Sequence, residues 1–338
     1  MRRFFWIAIC LLGSSLSLFP GVATHAAAFT VDTTADAPDQ SPGDGLCSTA
    51  ASECSLRAAV QESNALPGSD TIVLPPGTYA LTISGFGEDA SATGDLDLIG
   101  DVTLRGTHPS RPVIDANHID SGLDIKPGVT VVIDFLIVDN GGRALSADSS
   151  GIKNQGNLTL RNSIVRGSIA PALPGGRGGG IFNSGVASIE FSEVSGNQAV
   201  EGAGIYNSGV MTVAASTVSG NTSTGFFGGG GVYNGGSLEL ARSTVSGNSA
   251  TRPTGGSSWG GGIMNLPISG TSPTLTITNS TISGNSVDSG DGGGIANIGT
   301  TIIPAGFIPA YLTITGSTVA SNTAAHSGGG IYAEGSET

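Results

Sequence analysis

Cysteine, histidine and positive charge are all scarce in this sequence. Cysteine occurs three times in 338 residues, and one of these, Cys10, lies in an N-terminal apolar segment. That leaves Cys47 and Cys54, too few for a multi-cysteine metal site and enough for one disulfide. Histidine occurs four times; His25 belongs to the leader, and His108, His118 and His326 lack metal-ligand spacing. No Gly-x-Ser-x-Gly or His-Glu-x-x-His motif is found. Acidic residues outnumber basic ones 26 to 13, a formal charge of −13. Without Arg2 and Arg3 it is two units more negative, −15. Such a surface repels nucleic acid and anionic membranes, which excludes both as partners. It suits solubility outside the cell and weak binding of cations.

One apolar run stands out, Phe4 to Leu18. It follows the basic pair Arg2-Arg3 and precedes the small residues Ala26-Ala27-Ala28, so residues 1–28 read as a signal peptide. The run is too short for a membrane anchor. The basic region is too brief for a twin-arginine signal, and Cys10 follows Ile9 rather than the small residue a lipidated cysteine requires. The mature chain is expected to begin at Phe29, to be exported to the extracellular space or outer cell surface, and to carry no membrane-spanning helix. In that setting Cys47 and Cys54 read as a disulfide closing a very short loop.

What the sequence has in abundance is glycine, 55 residues of it, and the glycine is periodic. A phrase of three small residues, an apolar residue, a variable one and Asn recurs at 178–183, 202–207, 229–234, 260–265 and 292–297, ending in Asn183, Asn207, Asn234, Asn265 and Asn297. It begins again at Gly328. A second phrase, Ser-Gly-Asn or Ser-Asn, ends in Asn197, Asn221, Asn248, Asn285 and Asn322. Periods of this length mark a stack of small identical units. Each unit holds three short stretches that alternate apolar and polar residues, such as Ile181–Asn183, Ala187–Phe191 and Glu193–Ser195. Alternation with period two marks strands with one buried face, and Gly and Asn punctuate the corners because both accept left-handed backbone.

The spacing therefore predicts an all-β fold, a right-handed single-stranded parallel β-helix of about ten coils. The first apolar residue of each coil falls at 72, 96, 123, 152, 181, 205, 232, 263, 295 and 331. Both Asn sets are expected to stack as structural ladders that satisfy buried corner amides. Ser55–Ser63 reads as a short capping helix with Ser55 as N-cap. The predicted organisation is a signal peptide over 1–28, a cap over 29–66 and the β-helix over 67–338. The last edge is expected to be uncapped, either because the sequence is truncated or because another chain covers it.

Two resemblances follow from these motifs. Residues 47–81, with Cys54-Ser-Leu-Arg-Ala-Ala-Val60 and Pro67-Gly-Ser-Asp-Thr-Ile72, resemble the CSLREA-type N-terminal domain of exported bacterial proteins, with Ala58 in place of Glu. Residues 151–334 resemble the repeats of polymorphic outer membrane proteins: Val194-Ser-Gly-Asn197 followed by Gly202-Ala-Gly-Ile205 matches their signatures with Val for Phe. The resemblance implies a β-helix at the cell surface with an adhesive or passenger role.

For function, the residue after each marker is expected to point outward. Phe182, Tyr206 and Tyr233 would then form a solvent-facing aromatic ladder, either a platform for sugar rings or a stack that stabilises neighbouring coils. Asp97 and Asp124 share that column, with Asp95, Asp101, Asp120 and Lys126 beside them, and oxygen-rich ligation of this kind suits Ca²⁺. Three insertions, Ser249–Trp259, Leu266–Thr274 and Ile298–Ala310, either carry recognition or pack over the coil flank. The reading is a non-enzymatic structural, adhesive or carbohydrate-recognition protein whose partner is an extracellular glycan or a neighbouring cell surface. The competing reading is a polysaccharide lyase or glycoside hydrolase of the pectin-lyase-like fold, calcium-dependent if a lyase.

Overall fold

A computed structural model describes residues 26–142, 150–170, 175–252, 255–302 and 306–335. The signal peptide expected over 1–28 lies outside the described residues except for 26–28. The described chain winds as a right-handed single-stranded parallel β-helix. Three long parallel sheets form its walls: one of ten strands from Ala28–Thr30 to Tyr311–Thr315, and two of nine. One nine-stranded sheet runs from Leu96–Leu98 to Ile331–Glu334, the other from Thr78–Ala80 to Thr318–Ala320. Within the walls, aliphatic residues at alternate positions stack on one another and fill a continuous core from Phe29 to Leu312.

Two details depart from the sequence reading. Ile72 pairs with Leu104 in the ten-stranded sheet, so it does not head the marker column. That column begins at Leu96 and continues in register through Leu123, Ile152, Ile181, Ile205, Val232, Ile263, Ile295 and Ile331. The five later coils that begin at 181 also gain a fourth, two-residue strand, from Gln198–Ala199 to Thr323–Ala324. Two residues are too few to show an alternating pattern.

The corners explain the repeated phrases. Gly202 opens its triplet with φ +59, which a side chain adopts only at a cost. At Gly204 an added Cβ would lie 2.5 Å from Gly231 O and 2.8 Å from Asn221 Nδ2, so the next coil excludes any side chain. Asn154, Asn183, Asn207, Asn234, Asn265 and Asn297 line one interior corner, each Nδ2 donating to the next Oδ1 at 2.6–2.8 Å. Asn197, Asn221, Asn248, Asn285 and Asn322 line another at 2.9–3.0 Å. A third ladder is built from serines: Ser192 N donates to Ser216 Oγ at 3.0 Å and Ser216 N to Ser243 Oγ at 3.1 Å. The residue before each serine, Phe191, Ala215 or Arg242, takes φ near +50 although it is not glycine.

The helix Leu56–Ala65 covers the first coils, packing on the strands Asp70–Leu74 and Leu96–Leu98. Ser55 caps it by accepting from Ala58 N at 3.0 Å. Cys47 and Cys54 form a disulfide with Cα atoms 5.1 Å apart. Arg57 is fully buried; its Nε donates to Asp36 Oδ1 at 2.6 Å, and its two terminal nitrogens donate to Ser91 O and Gly94 O at 2.9 Å. Burial would raise the Asp36 pKa, but Arg57 and the amides of Thr82 and Ile83 outweigh it and hold the carboxyl below its ordinary range. One ion pair thus ties cap, loop and first coil together. No described helix is long and apolar enough to cross a membrane.

Candidate functional sites

Three regions gather chemistry outside the aliphatic core. The first is the acidic column. Register sets Asp97 opposite Asp124 and Asp124 opposite Lys153, and Lys126 follows two residues after Asp124. Lys126 Nζ lies 2.6 Å from Asp89 Oδ1, 2.8 Å from Asp97 Oδ1 and 2.9 Å from Asp124 Oδ2. Lys153 Nζ reaches the same Asp124 oxygen at 3.0 Å. Asp97 is also tied to the loop above it, since its Oδ2 accepts from Ser91 N at 3.0 Å.

Asp97 and Asp124 are buried and Asp89 is exposed, with the two ammoniums lying between them. Burial acts to lower the Lys126 pKa, yet the hydrogen bonds to Asp89, Asp97 and Asp124 more than offset it and the net shift is upward. A lysine held this firmly as an ammonium is a poor general base. Asp95 is pushed up to about 8, chiefly by burial and then by Asp120, Asp97 and Asp124, so its carboxyl is largely protonated at neutral pH.

Carboxylate oxygens of Asp95, Asp97 and Asp124 lie within 4.8 Å of one another, the spacing a metal would need. The set fits Ca²⁺ poorly all the same. Calcium takes six to eight oxygens at roughly 2.3–2.6 Å, whereas here the ammonium of Lys126 already bridges two of the three carboxylates. Asp124 Oδ1 is buried without a hydrogen-bond partner among the described residues. Asp89 lies on the loop eight residues before Asp97, outside the strand alternation that marked the column.

The second region corrects the aromatic ladder. Phe182, Tyr206 and Tyr233 do stack on successive coils, with ring centroids 5.5 and 4.9 Å apart and planes 1° and 13° from parallel. They point away from the aliphatic core but are not solvent-facing: their exposures are 9, 3 and 3%. Met264 and Ala296 continue the column, and Leu266, Trp259, Ile268 and Ile298 pack against it as a second hydrophobic cluster. The insertions have folded over the flank and covered the platform. Burial is also the main cause that raises the Tyr233 pKa well above the ordinary tyrosine value.

Where the insertions meet they leave a groove of about 420 Å³ whose walls include Phe226, Phe227, Trp259, Leu266 and Phe307. Phe226 stands edge-on to Trp259 at 4.5 Å and to Phe227 at 5.0 Å, and the Arg252 guanidinium lies 4.8 Å from its ring centre. Phe226 is 42% exposed and Phe307 53%. The insertions marked in the sequence contain Trp259 and Phe307 but not Phe226 and Phe227, although adjacent phenylalanines in a chain of 5% aromatics are themselves a signal.

A third cleft, of about 570 Å³, opens beside Arg105, His108, Arg111 and Phe135. Arg111 and His108 both lie against the Phe135 ring, at 4.9 and 4.1 Å. The outward positions there alternate in sign, Arg105, Asp134, Arg161 and Glu190 in register, with Arg161 Nη2 3.1 Å from Asp134 Oδ2. A ladder of alternating charge stabilises neighbouring strands without creating a field of one sign.

No family model and no curated protein matches the chain. Among solved structures it is similar to the deglycosylated pectin methylesterase of Aspergillus niger, at 12% identity and a TM-score of 0.47, over 83% of this chain and 87% of that one. It is also similar to the pectate lyase Pel9A, at 15% identity and a TM-score of 0.47, over 90% of this chain and 80% of that one.

Proposed function

We propose that this chain is an exported, non-enzymatic β-helix scaffold that recognises carbohydrate in the aromatic groove of its later coils. The observation that carries the reading is the groove itself: partly exposed rings around Trp259, on insertions clamped to a rigid stack. Its volume lies within the range of small-molecule sites, and aromatic faces and edges present flat apolar area to sugar rings at little entropic cost. The burial of Phe182, Tyr206 and Tyr233 supports it indirectly, because the ladder forms the floor that holds the insertions in place. The disulfide supports export, since such bonds persist in oxidising compartments. An adhesive role at a cell surface, as in polymorphic outer membrane proteins, extends the same reading. Against the lyase alternative stands Lys126, whose ammonium is held by three carboxylates and has no lone pair to accept a substrate proton.

Trp259 is the only tryptophan beyond the leader, which makes it a built-in reporter. Titration of the purified chain with a panel of neutral and acidic oligosaccharides should shift Trp259 emission saturably for at least one of them. Phe226→Ala and Phe307→Ala should weaken that binding at least tenfold while leaving the coil spectrum unchanged. Silence across the panel, or binding indifferent to both substitutions, would overturn the assignment. Release of unsaturated product absorbing in the ultraviolet would move the weight to a lyase.

A further inference from the structure

Asp70 opens the strand Asp70–Leu74 and is fully buried. Its Oδ1 accepts from Ala27 N at 2.7 Å. Its Oδ2 is buried and has no hydrogen-bond partner among the described residues, and no described basic side chain forms an ion pair with it. A buried carboxylate with one amide donor and no counter-charge is costly, so a missing cation is to be expected beside it.

The chain around Ala27 shows where that cation comes from. Ala27 is the first residue the sheet holds: its carbonyl accepts from Thr71 N at 2.9 Å, and Ala28–Thr30 then pair with Thr71–Val73. Ala26, just before it, is exposed. Thr24 and Ala26 place small residues third and first before Ala27, the pattern that leader-removing proteases accept. The alternative small-residue site, after Ala28, lies inside the first strand. A cut there would strip Asp70 of the one donor it has among the described residues and leave Thr71 N without its acceptor.

We infer that the exported chain is cut between Ala26 and Ala27, and that the α-ammonium so released is the partner of Asp70. The inference rests on reading residues 1–28 as a leader and moves its boundary by two residues. In the hydrolysis one water is consumed. Its oxygen bonds to the Ala26 carbonyl carbon as the C–N bond breaks; Ala26 departs as a carboxylate, and both water protons end on the Ala27 nitrogen. Three N–H donors and a full positive charge then replace one neutral N–H, enough to serve both oxygens of Asp70 with charge-assisted bonds. Leader removal thus completes the first coil.

The test is to express residues 1–338 in an exporting bacterium, recover the released protein, and determine its intact mass and N-terminal sequence. The expected N-terminus is Ala27. Its α-amine should react with an amine-terminus-selective aldehyde at least tenfold more slowly in the native protein than in urea, and Asp70→Asn should abolish most of that protection. A chain beginning at Phe29 overturns the inference and leaves the leader reading standing. An unshortened mass overturns both. A chain beginning at Ala27 whose amine reacts equally fast in native and unfolded states overturns the pairing with Asp70, a result read from the wild type alone.

Discussion

Tyr206 and Tyr233 stack nearly parallel on adjacent coils, 4.9 Å between ring centres, with their faces beneath the insertions and only 3% of each residue exposed. Position on the strand points them out of the coil, and the loops then bury them. The column therefore acts as a second core. Tyr206→Ala should lower stability by about 3 kcal/mol, the range for deleting a buried ring, read as a lower urea midpoint with an unchanged slope. A loss below ~0.5 kcal/mol, the size of an ordinary surface change, would mean the rings are exposed in solution.

The Asn ladder makes a sharper demand. Asn207 accepts from Asn183 Nδ2 and donates to Asn234 Oδ1, both at 2.8 Å, and to Ser237 O at 3.0 Å. Asn207→Ala orphans groups above and below, at a cost on the order of 1–3 kcal/mol each. Asn207→Asp, nearly isosteric, should be worse, because it sets a buried negative charge against the Asn234 oxygen. Equal thermal midpoints for the Asp variant and the wild type at neutral pH would contradict the ladder.

The pH dependence of stability follows from Asp95. Its folded pKa is raised to about 8, above the unfolded value near 3.8. The folded state therefore binds this proton more tightly than the unfolded state does. The resulting stabilisation is full below pH 4 and is lost as pH climbs toward 8. Thermal midpoints of the wild type should fall between pH 4 and 8, and those of Asp95→Asn should fall less. Parallel curves for the two proteins would show that Asp95 does not titrate in this window.

Calcium should do little to the wild type, because Lys126 already supplies the positive charge between Asp97 and Asp124. Lys126→Met removes it and should cost about 3–5 kcal/mol, the penalty for breaking a buried pair. In that variant millimolar Ca²⁺ should restore part of the thermal midpoint by occupying the vacated carboxylates. A calcium-dependent rise of several degrees in the wild type would instead establish a native metal site.

Arg57 offers a test of the cap. Arg57→Met keeps an unbranched apolar stem and removes the donors to Asp36, Ser91 and Gly94. Hydrogen exchange should then accelerate in residues 29–66 and the first coils while remaining slow beyond residue 200. Uniform acceleration along the rod would show that the cap does not unfold separately from the stack.

Much of this protein is determined locally, and so is written in its sequence. Alternation of apolar residues, Gly where two backbones touch and Asn where a corner amide needs a partner are each demanded by the nearest coil, and they recur with the coil. The marker column from Leu96 to Ile331 was legible for that reason, and Ile72 was misplaced because the first coil lacks a preceding copy to set its register. The serine ladder went unseen because its left-handed corner has no constant residue: Phe191, Ala215 and Arg242 fill it on three coils, and Asn162, Asn279 and Gly316 on others.

What surrounds the coil was decided only by the tertiary structure. Whether Phe182 is a binding platform or a core residue depends on where remote insertions fall, and nothing in its own strand encodes that. The same holds for Asp89 reaching Lys126 across a loop, and for Asp70 waiting on an N-terminus that the strand Ala28–Thr30 brings beside it. Strand periodicity dictates which face a side chain takes; burial, charge pairing and reactivity depend on what the rest of the chain brings to that face.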